Sequence, residues 1–126
     1  MRVFKTKWLA RFARREKIAD GGLSEAIERA ERGVIDADLG GGLIKQRVAR
    51  AGQGRSGGYR MMVAYRTQDR AVFLYAFAKN ERDNLDPDEL LSLRAIAQGW
   101  LAADADKIAA AVVDGALQEV GDDEGL

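Results

Sequence analysis

The segment IKQRVARAGQGRSGGYRMMVAYRTQDRAVFLYAFAK, residues 44–79, decides the fold. Charged and apolar residues alternate at its start, where Lys45 and Arg47 point to one face, as a half-buried strand requires. A glycine-rich loop follows. Residues 59–67 and 71–79 are then rich in aromatic and β-branched residues and are separated by a short turn. Because consecutive strands joined by loops usually pair, the segment predicts an antiparallel meander of three to four strands.

Helical patterns precede the meander. Residues 1–4 could start a short strand, and residues 7–17 then carry apolar side chains at helical spacing. A second helix is predicted over about residues 23–32, with Asp20-Gly-Gly as the break between the two helices. The N-terminal part of the chain is therefore expected to form a pair of helices.

Further helical signals follow the meander. Asp86 fits an N-cap, Pro87 the first helical position and Glu89 the third, which is the spacing of a capping box. An alanine-rich helix is predicted over residues 104–113, and residues 115–120 fit either a strand or an extension of that helix. With two N-terminal helices, the meander and C-terminal helices, the sequence predicts an α+β fold.

Composition limits the possible chemistry. The chain has 126 residues, which suits one domain, and it contains neither cysteine nor histidine. Disulfides, thiolate metal sites, histidine-based triads and histidine zinc sites are thereby excluded. Residues 1–20 lack the continuous apolar stretch of a signal peptide, and no apolar run approaches the roughly 18 residues of a membrane span. A cytoplasmic protein without a membrane partner is expected.

The charges are segregated along the chain although the net charge is zero. Nine basic and seven acidic residues give residues 1–42 a charge of +2. Nine basic residues against two acidic ones give residues 43–82 a charge of +7, and two against eleven give residues 83–126 a charge of −9. Such asymmetry indicates a polyanionic ligand for the middle third.

Several cations of the middle third could gather on one surface of the sheet. They come from the first two strands of the meander, the glycine-rich loop and the end of the third strand: Lys45, Arg47, Arg55, Arg60, Arg66 and Lys79. Arginine offers paired donors to phosphate oxygens, and glycines let backbone amides approach an anion. Strand register decides whether the cations share a face, and sequence does not fix register. The alternative is a flexible hairpin loop between strands with solvated cations.

Aromatic and acidic residues carry weaker signals. Tyr59 falls on the face opposite Arg60 by alternation, which favours packing, although at a strand start it could stack on a base. Acidic residues that could bind Mg²⁺ are Asp36, Asp38, Asp83, Asp86 and Asp88. Asp86 and Asp88 are better explained as helix N-terminal residues, so no metal site is expected.

Three stretches together resemble the RelE/HigB superfamily of type II toxin–antitoxin toxins. They are LGGGLIKQRVAR (residues 39–50), GRSGGYRMMVAY (residues 54–65) and FLYAFAKNERDNLDPDEL (residues 73–90). The resemblance covers roughly residues 4–102, which would form a RelE-like toxin domain. Residues 103–126 would be an acidic C-terminal extension of the same domain.

The resemblance implies a compact fold like that of the microbial ribonucleases. It also implies an mRNA endonuclease that commonly acts on ribosome-bound transcripts and that a cognate antitoxin silences. The expected partners are therefore an antitoxin, mRNA and the ribosome. In this family the 2′-hydroxyl of the substrate attacks the adjacent phosphorus, and the mechanism needs no metal or other cofactor.

The resemblance also suggests site residues. Arg60 would stabilise the phosphorane, and Lys45 or Lys79 would transfer protons, so these three are the candidate catalytic residues. The candidates for binding RNA are Arg47, Arg50, Arg55, Tyr59 and Arg82. Several family members place a C-terminal tyrosine or a histidine near the scissile bond, whereas here the last tyrosine is Tyr75 and no histidine exists.

Two alternatives use the same cations without catalysis. The chain could be a nucleic-acid-binding module, such as a degenerate toxin, that binds RNA or DNA through the cations and needs no proton transfer. It could also be a protein-interaction domain whose cations pair with its own acidic C-terminus.

Overall fold

A computed structural model of the protein describes residues 1–50 and 57–121. Within these ranges, helices pack on both faces of a six-stranded sheet. The elements in chain order are β1 Arg2–Thr6, α1 Lys7–Glu16, α2 Asp20–Glu31, β2 Ala37–Gly40, β3 Leu43–Val48, β4 Tyr59–Arg66, β5 Arg70–Ala78, α3 Pro87–Ala102, α4 Ala105–Asp114 and β6 Leu117–Glu119. The α+β class is confirmed.

The sheet is mixed, with the strand order β2-β3-β4-β5-β1-β6. The strands β2 to β5 pair consecutively and antiparallel, which confirms the meander at four strands. On the far side of β5, β1 pairs parallel and β6 then pairs antiparallel with β1. Residues 115–120 therefore contribute a strand, which settles the alternative that the sequence left open.

Two apolar cores lie on opposite faces of the sheet. Helices α1 and α2 cover one face, which we call the α1/α2 face, with Leu9 and Leu23 fully buried there. Helices α3 and α4 cover the other, the α3/α4 face, with Ala97 and Ile108 among its buried residues. Because neighbouring strand residues alternate between these faces, register decides which side chains reach each helical layer.

The structure corrects the expected break at Asp20-Gly-Gly. Helix α1 ends earlier, where Lys17 adopts a left-handed conformation with φ 59°, and α2 already begins at Asp20. The Asp20 carboxylate accepts hydrogen bonds from Lys5 Nζ at 2.7 Å and from the Gly121 backbone amide at 2.9 Å. An acidic residue in the first turn also suits the helix dipole. These contacts fix the start of α2 despite its two glycines.

The predicted capping box of α3 is confirmed. The Asp86 side chain accepts from the Glu89 amide at 2.8 Å, Glu89 accepts from the Asp86 amide at 3.0 Å, and Pro87 is the first helical residue. The predicted last helix is α4, one residue displaced at each end. No helix in the described part of the chain combines the length and apolar character needed to cross a bilayer.

Two arginines of the middle third stabilise the other end of α3. Arg66 Nη2 donates to the Leu101 carbonyl at 2.7 Å, and Arg70 Nη1 donates to the carbonyls of Trp100 and Ala103 at the same distance. The last carbonyls of a helix lack intrahelical partners and attract cations. The expectation that Arg66 joins an anion-binding group is therefore corrected, because its guanidinium lies at the far end of β4 from Arg60.

A β-bulge in β5 changes which residues face α3. Val63 pairs with Phe73, but the preceding Met62 pairs with Tyr75, so Leu74 is the extra residue. Phe73 consequently belongs to the core under α1 and α2, whereas Tyr75 packs against the α3/α4 core.

Candidate functional site

Cations of β3 and β4 lie side by side on the α3/α4 face of the sheet. Arg47 pairs across the strands with Arg60, and Arg60 pairs in turn with Phe77 of β5. Lys45 lies two residues before Arg47 in β3 and pairs with Met62 of β4. Since alternate residues share a face, the structure brings Lys45, Arg47 and Arg60 together. We call these three residues the cationic face.

The loop after β5 closes one side of the cationic face. Lys45 Nζ donates to Oδ1 of Asn84 at 3.3 Å. A cavity of about 210 Å³ lies beside this contact. Its lining residues are Leu39, Lys45, Met62, Asn84, Leu85 and Leu90. The ammonium group of Lys45 is thus held at the mouth of a partly apolar cavity.

Arg60 is the most buried member of the cationic face, with 7% of its surface exposed. Burial lowers the pKa of Arg60, and the charge of Arg47 lowers it further, whereas Asp36 and Asp83 act in the opposite direction. An arginine remains protonated under these conditions. Because nearby anions favour the charged guanidinium, a phosphate group beside Arg60 would be stabilised in return.

Asp36 and Arg29 anchor the end of β3 that carries Arg47. The Asp36 carboxylate accepts a hydrogen bond from the Arg47 amide at 2.6 Å and lies 3.8 Å from Nε of Arg47. Arg29, a buried residue of α2, donates to the Arg47 carbonyl and lies 3.5 Å from Asp36. Sequence reasoning considered Asp36 only as a metal ligand and missed Arg29, because both contacts join segments that are distant in sequence.

Arg82 lies at the rim of the cationic face and is held there by an ion pair. Its Nη1 donates to Oε2 of Glu89 at 3.0 Å, and its guanidinium lies 5.1 Å from the centre of the Phe77 ring. The Tyr75 hydroxyl also donates to Glu89, at 3.5 Å. Since Phe77 is the cross-strand neighbour of Arg60, Arg82 is placed next to the buried arginine.

The acid stability of the protein tests the ion pair between Arg82 and Glu89. The hydrogen bond from Arg82 lowers the pKa of Glu89 to about 2, and the Asp86 amide contributes in the same direction. A carboxyl whose pKa is depressed on folding adds stability above its unfolded pKa and loses it as pH falls. We therefore expect Glu89→Gln to lose more stability at pH 6 than at pH 3. Urea unfolding at the two pH values measures this, and an equal loss at both would contradict it.

The other residues predicted for the site lie in different places relative to the cationic face. Lys79 is exposed directly after β5, and its amide donates to the Gly58 carbonyl at 3.0 Å, near the start of β4. The Arg50 guanidinium lies 5.7 Å from the centre of the Tyr59 ring, which places it on the α1/α2 face. Arg55 lies outside the described residues.

The structure corrects the expectation that Tyr59 contacts RNA. Its ring packs in the core under α1, perpendicular to Phe12 with ring centres 5.6 Å apart. Its hydroxyl donates to Oε1 of Glu16 at 2.9 Å. Only 1% of the residue is exposed, so its ring has no free face on which a base could stack. The packing alternative, which alternation favoured, is the one observed.

The carboxylates considered for Mg²⁺ do not gather. Among residues 1–50 and 57–121, no group of three or more acidic side chains is arranged to hold a metal ion. Asp86 caps α3 and Asp88 lies in its first turn, as the helix explanation required.

One protein-family model matches most of the chain. The family model described as "RelE toxin of RelE / RelB toxin-antitoxin system" matches residues 1–120, which includes α4 and β6. A comparison with curated proteins found no match. The family match spans nearly the whole chain: the protein belongs to the RelE toxin family, and as the toxin of a toxin–antitoxin system it has a cognate antitoxin as its partner.

Proposed function

We propose that the protein is an endoribonuclease that cleaves mRNA on the ribosome, in the cytoplasm and without a metal ion. Membership of the RelE family and the cationic face support this function. The observation that carries it is the pairing of Arg47 with a nearly buried Arg60 across β3 and β4. Two guanidinium groups side by side on one surface suit the bidentate binding of adjacent phosphate oxygens.

In the proposed reaction, the 2′-hydroxyl of one nucleotide loses its proton to solvent water as its oxygen attacks the neighbouring phosphorus. The bond between phosphorus and the 5′-oxygen breaks, which leaves a 2′,3′-cyclic phosphate and a 5′-hydroxyl. Arg60 would donate to the phosphorane oxygens as negative charge builds up on them. The Lys45 ammonium, positioned by Asn84, would give a proton to the leaving 5′-oxygen.

The remaining cations would bind the RNA backbone around the reacting phosphate. Arg47 is half exposed beside Arg60, and Arg82 lies over Phe77 at the rim. Lys79 is exposed at the end of β5 and would contact a phosphate. Phosphate contacts of this kind position the RNA and carry no direct sequence information.

A cell-free translation reaction tests the proposal. Addition of the wild-type protein should cut the translated mRNA and leave 5′-hydroxyl and cyclic phosphate ends. The double variant Lys45→Gln/Arg47→Gln should lose this cleavage, because it removes two of the three cations. The matched control is Arg32→Gln/Lys107→Gln, which removes one arginine and one lysine that are exposed elsewhere and should leave cleavage unchanged.

Two outcomes would overturn the proposal. RNA binding by the wild-type protein without any cleavage, with or without ribosomes, would favour the non-catalytic nucleic-acid-binding module. Equal cleavage by the Lys45→Gln/Arg47→Gln variant and its control would show that the cationic face is not where the reaction occurs.

A further inference from the structure

A second set of cations lies on the outer surface of α1. Lys7, Arg11 and Arg14 are all exposed. At about 100° per residue they fall within roughly 60° of one another around the helix axis. They therefore form one line along the helix, about 10 Å long from Lys7 to Arg14 at about 1.5 Å per residue. We call these three residues the basic stripe.

The basic stripe has no partners within the protein as described. Over residues 1–50 and 57–121, the side chains of Lys7, Arg11 and Arg14 form no ion pair or hydrogen bond. Many other cations do pair with carboxylates: Arg2, Lys5, Arg15, Arg29, Arg47, Arg66 and Arg82. An uncompensated line of like charges costs free energy in the isolated protein, which favours an anionic ligand.

Helix stability does not account for the stripe. A cation in the last turn suits the negative end of the helix dipole, which explains Arg14. Lys7, however, is the first residue of α1, where the dipole favours an acidic side chain, and the first turn contains none. The position of Lys7 therefore opposes the local electrostatics of the helix.

A membrane surface does not account for it either. A basic amphipathic helix that lies on a bilayer inserts its apolar side chains between the lipids. The apolar side chains of α1 are already occupied, since Leu9, Phe12 and Ala13 are buried against the sheet. Apart from Trp8, which is partly exposed, only the charged surface of the helix is available to a ligand.

An aromatic pair connects the basic stripe with the cationic face. Trp8, next to Lys7 in sequence, is 44% exposed, and its ring centre lies 4.7 Å from that of Tyr75. Tyr75 and Lys45 both pair with Met62, from opposite sides. At about 4.8 Å per strand, Tyr75 is about 10 Å from Lys45. The pocket beside Tyr75 is also lined by Asp86, Asp88 and Glu89, so a nucleic-acid strand would have to pass on the Trp8 side of Tyr75 to reach α1.

We propose that the basic stripe is a second RNA-binding surface, which holds ribose-phosphate backbone outside the cleavage site while Trp8 offers a ring to a base between the two surfaces. This inference rests on the proposed function for its choice of RNA. Exposed aromatic rings that flank cations are typical of proteins that bind single-stranded RNA. The backbone could belong to flanking mRNA or to ribosomal RNA.

The test compares Lys7→Gln/Arg11→Gln with the control Arg32→Gln/Lys107→Gln, which removes the same two residue types elsewhere. Binding is measured on 2′-O-methyl RNA, which has no free 2′-hydroxyl and cannot be cleaved. Each lost phosphate contact lowers the slope of log affinity against log salt by about 0.7 for single strands. The slope of the stripe variant should thus be lower by about 1.4. When salt rises from about 50 to 200 mM, the affinity of the stripe variant should therefore fall about sevenfold less than the affinity of the control.

Different ligands distinguish the two sources of backbone. If flanking mRNA binds the stripe, the variant should weaken binding of an oligonucleotide of roughly 16 nucleotides but not one of roughly 4. If ribosomal RNA binds it, the variant should weaken binding to small ribosomal subunits that carry no mRNA. Wild-type affinity for both long RNA and subunits would overturn the inference. So would loss of antitoxin binding alone, because the stripe would then be a protein interface.

These outcomes are separable from the proposed function. Cleavage of mRNA by the wild-type protein tests the nuclease, whereas uncleavable RNA tests the stripe. If the protein cuts mRNA but its basic stripe binds no RNA, only this inference is overturned.

Discussion

Replacing Arg60 should abolish most of the RNA cleavage while leaving the protein folded. We expect Arg60→Ala and Arg60→Met to lower the single-turnover cleavage rate by about 10²–10³-fold, the typical loss of one preorganised donor to a developing oxyanion. Arg60→Met retains most of the volume of the buried stem, which separates loss of the guanidinium from loss of packing. Arg60→Lys restores the charge without the paired donors and should remain well below the wild-type rate.

The control for Arg60 lies on the same strand. Arg66 alternates onto the same face of β4, but its guanidinium is bound to the Leu101 carbonyl at the end of α3. Arg66→Ala should therefore lower stability and leave the cleavage rate of the folded protein unchanged. Rates measured on ribosomes, together with urea unfolding of each variant, separate the two effects. Wild-type cleavage by Arg60→Met would remove Arg60 from the mechanism.

Substitution of Gly58 should have the largest effect on stability. A Cβ at this position would lie 2.2 Å from the Val48 carbonyl oxygen and 2.7 Å from the Arg50 amide nitrogen. Both neighbours are backbone atoms that no side-chain rotation can move. Gly58→Ala should therefore force β3 and β4 apart where they pair and cost on the order of 3 kcal/mol of unfolding free energy.

Gly99 provides the matched control for Gly58. It lies inside α3, and a Cβ there would meet no atom within 4 Å. Gly99→Ala should raise stability by about 0.5–1 kcal/mol, because alanine favours the helix. Urea unfolding midpoints of the two variants should move in opposite directions. A Gly58→Ala protein as stable as the wild type would show that the close approach of the two strands is not required.

The local signals in the sequence predicted the elements that depend on neighbouring residues. The capping box of α3 and the alternation of β3 each involve residues within a few positions of one another, and both are observed. The strands β2 and β6 are four and three residues long, too short for a clear alternation pattern. Their existence depends on pairing with β3 and β1, which distant parts of the chain supply.

The candidate site was predictable only in part for the same reason. Alternation placed Lys45 and Arg47 together, but the pairing of Arg47 with Arg60 depends on register, which no local pattern encodes. The charge counts from the sequence included Arg66 and Arg82 without their partners. In the structure, Arg66 is bound to the end of α3 and Arg82 to Glu89. Glycines near Arg60 suggested an anion loop, whereas the structure explains Gly58 by the close approach of backbone to Val48.

The extra residue at Leu74 puts the two halves of β5 out of phase with each other. Counted along the sequence, Phe73 and Phe77 should project to the same side, yet the first packs under α1 and the second stands beside Arg60. Paired without the bulge, the same sequence would offer Ala76 to Arg60 instead of an aromatic ring, and Arg82 would lose the surface on which it rests. The register of one strand, as much as the identity of its residues, thus sets the chemistry that the molecule presents to its ligand.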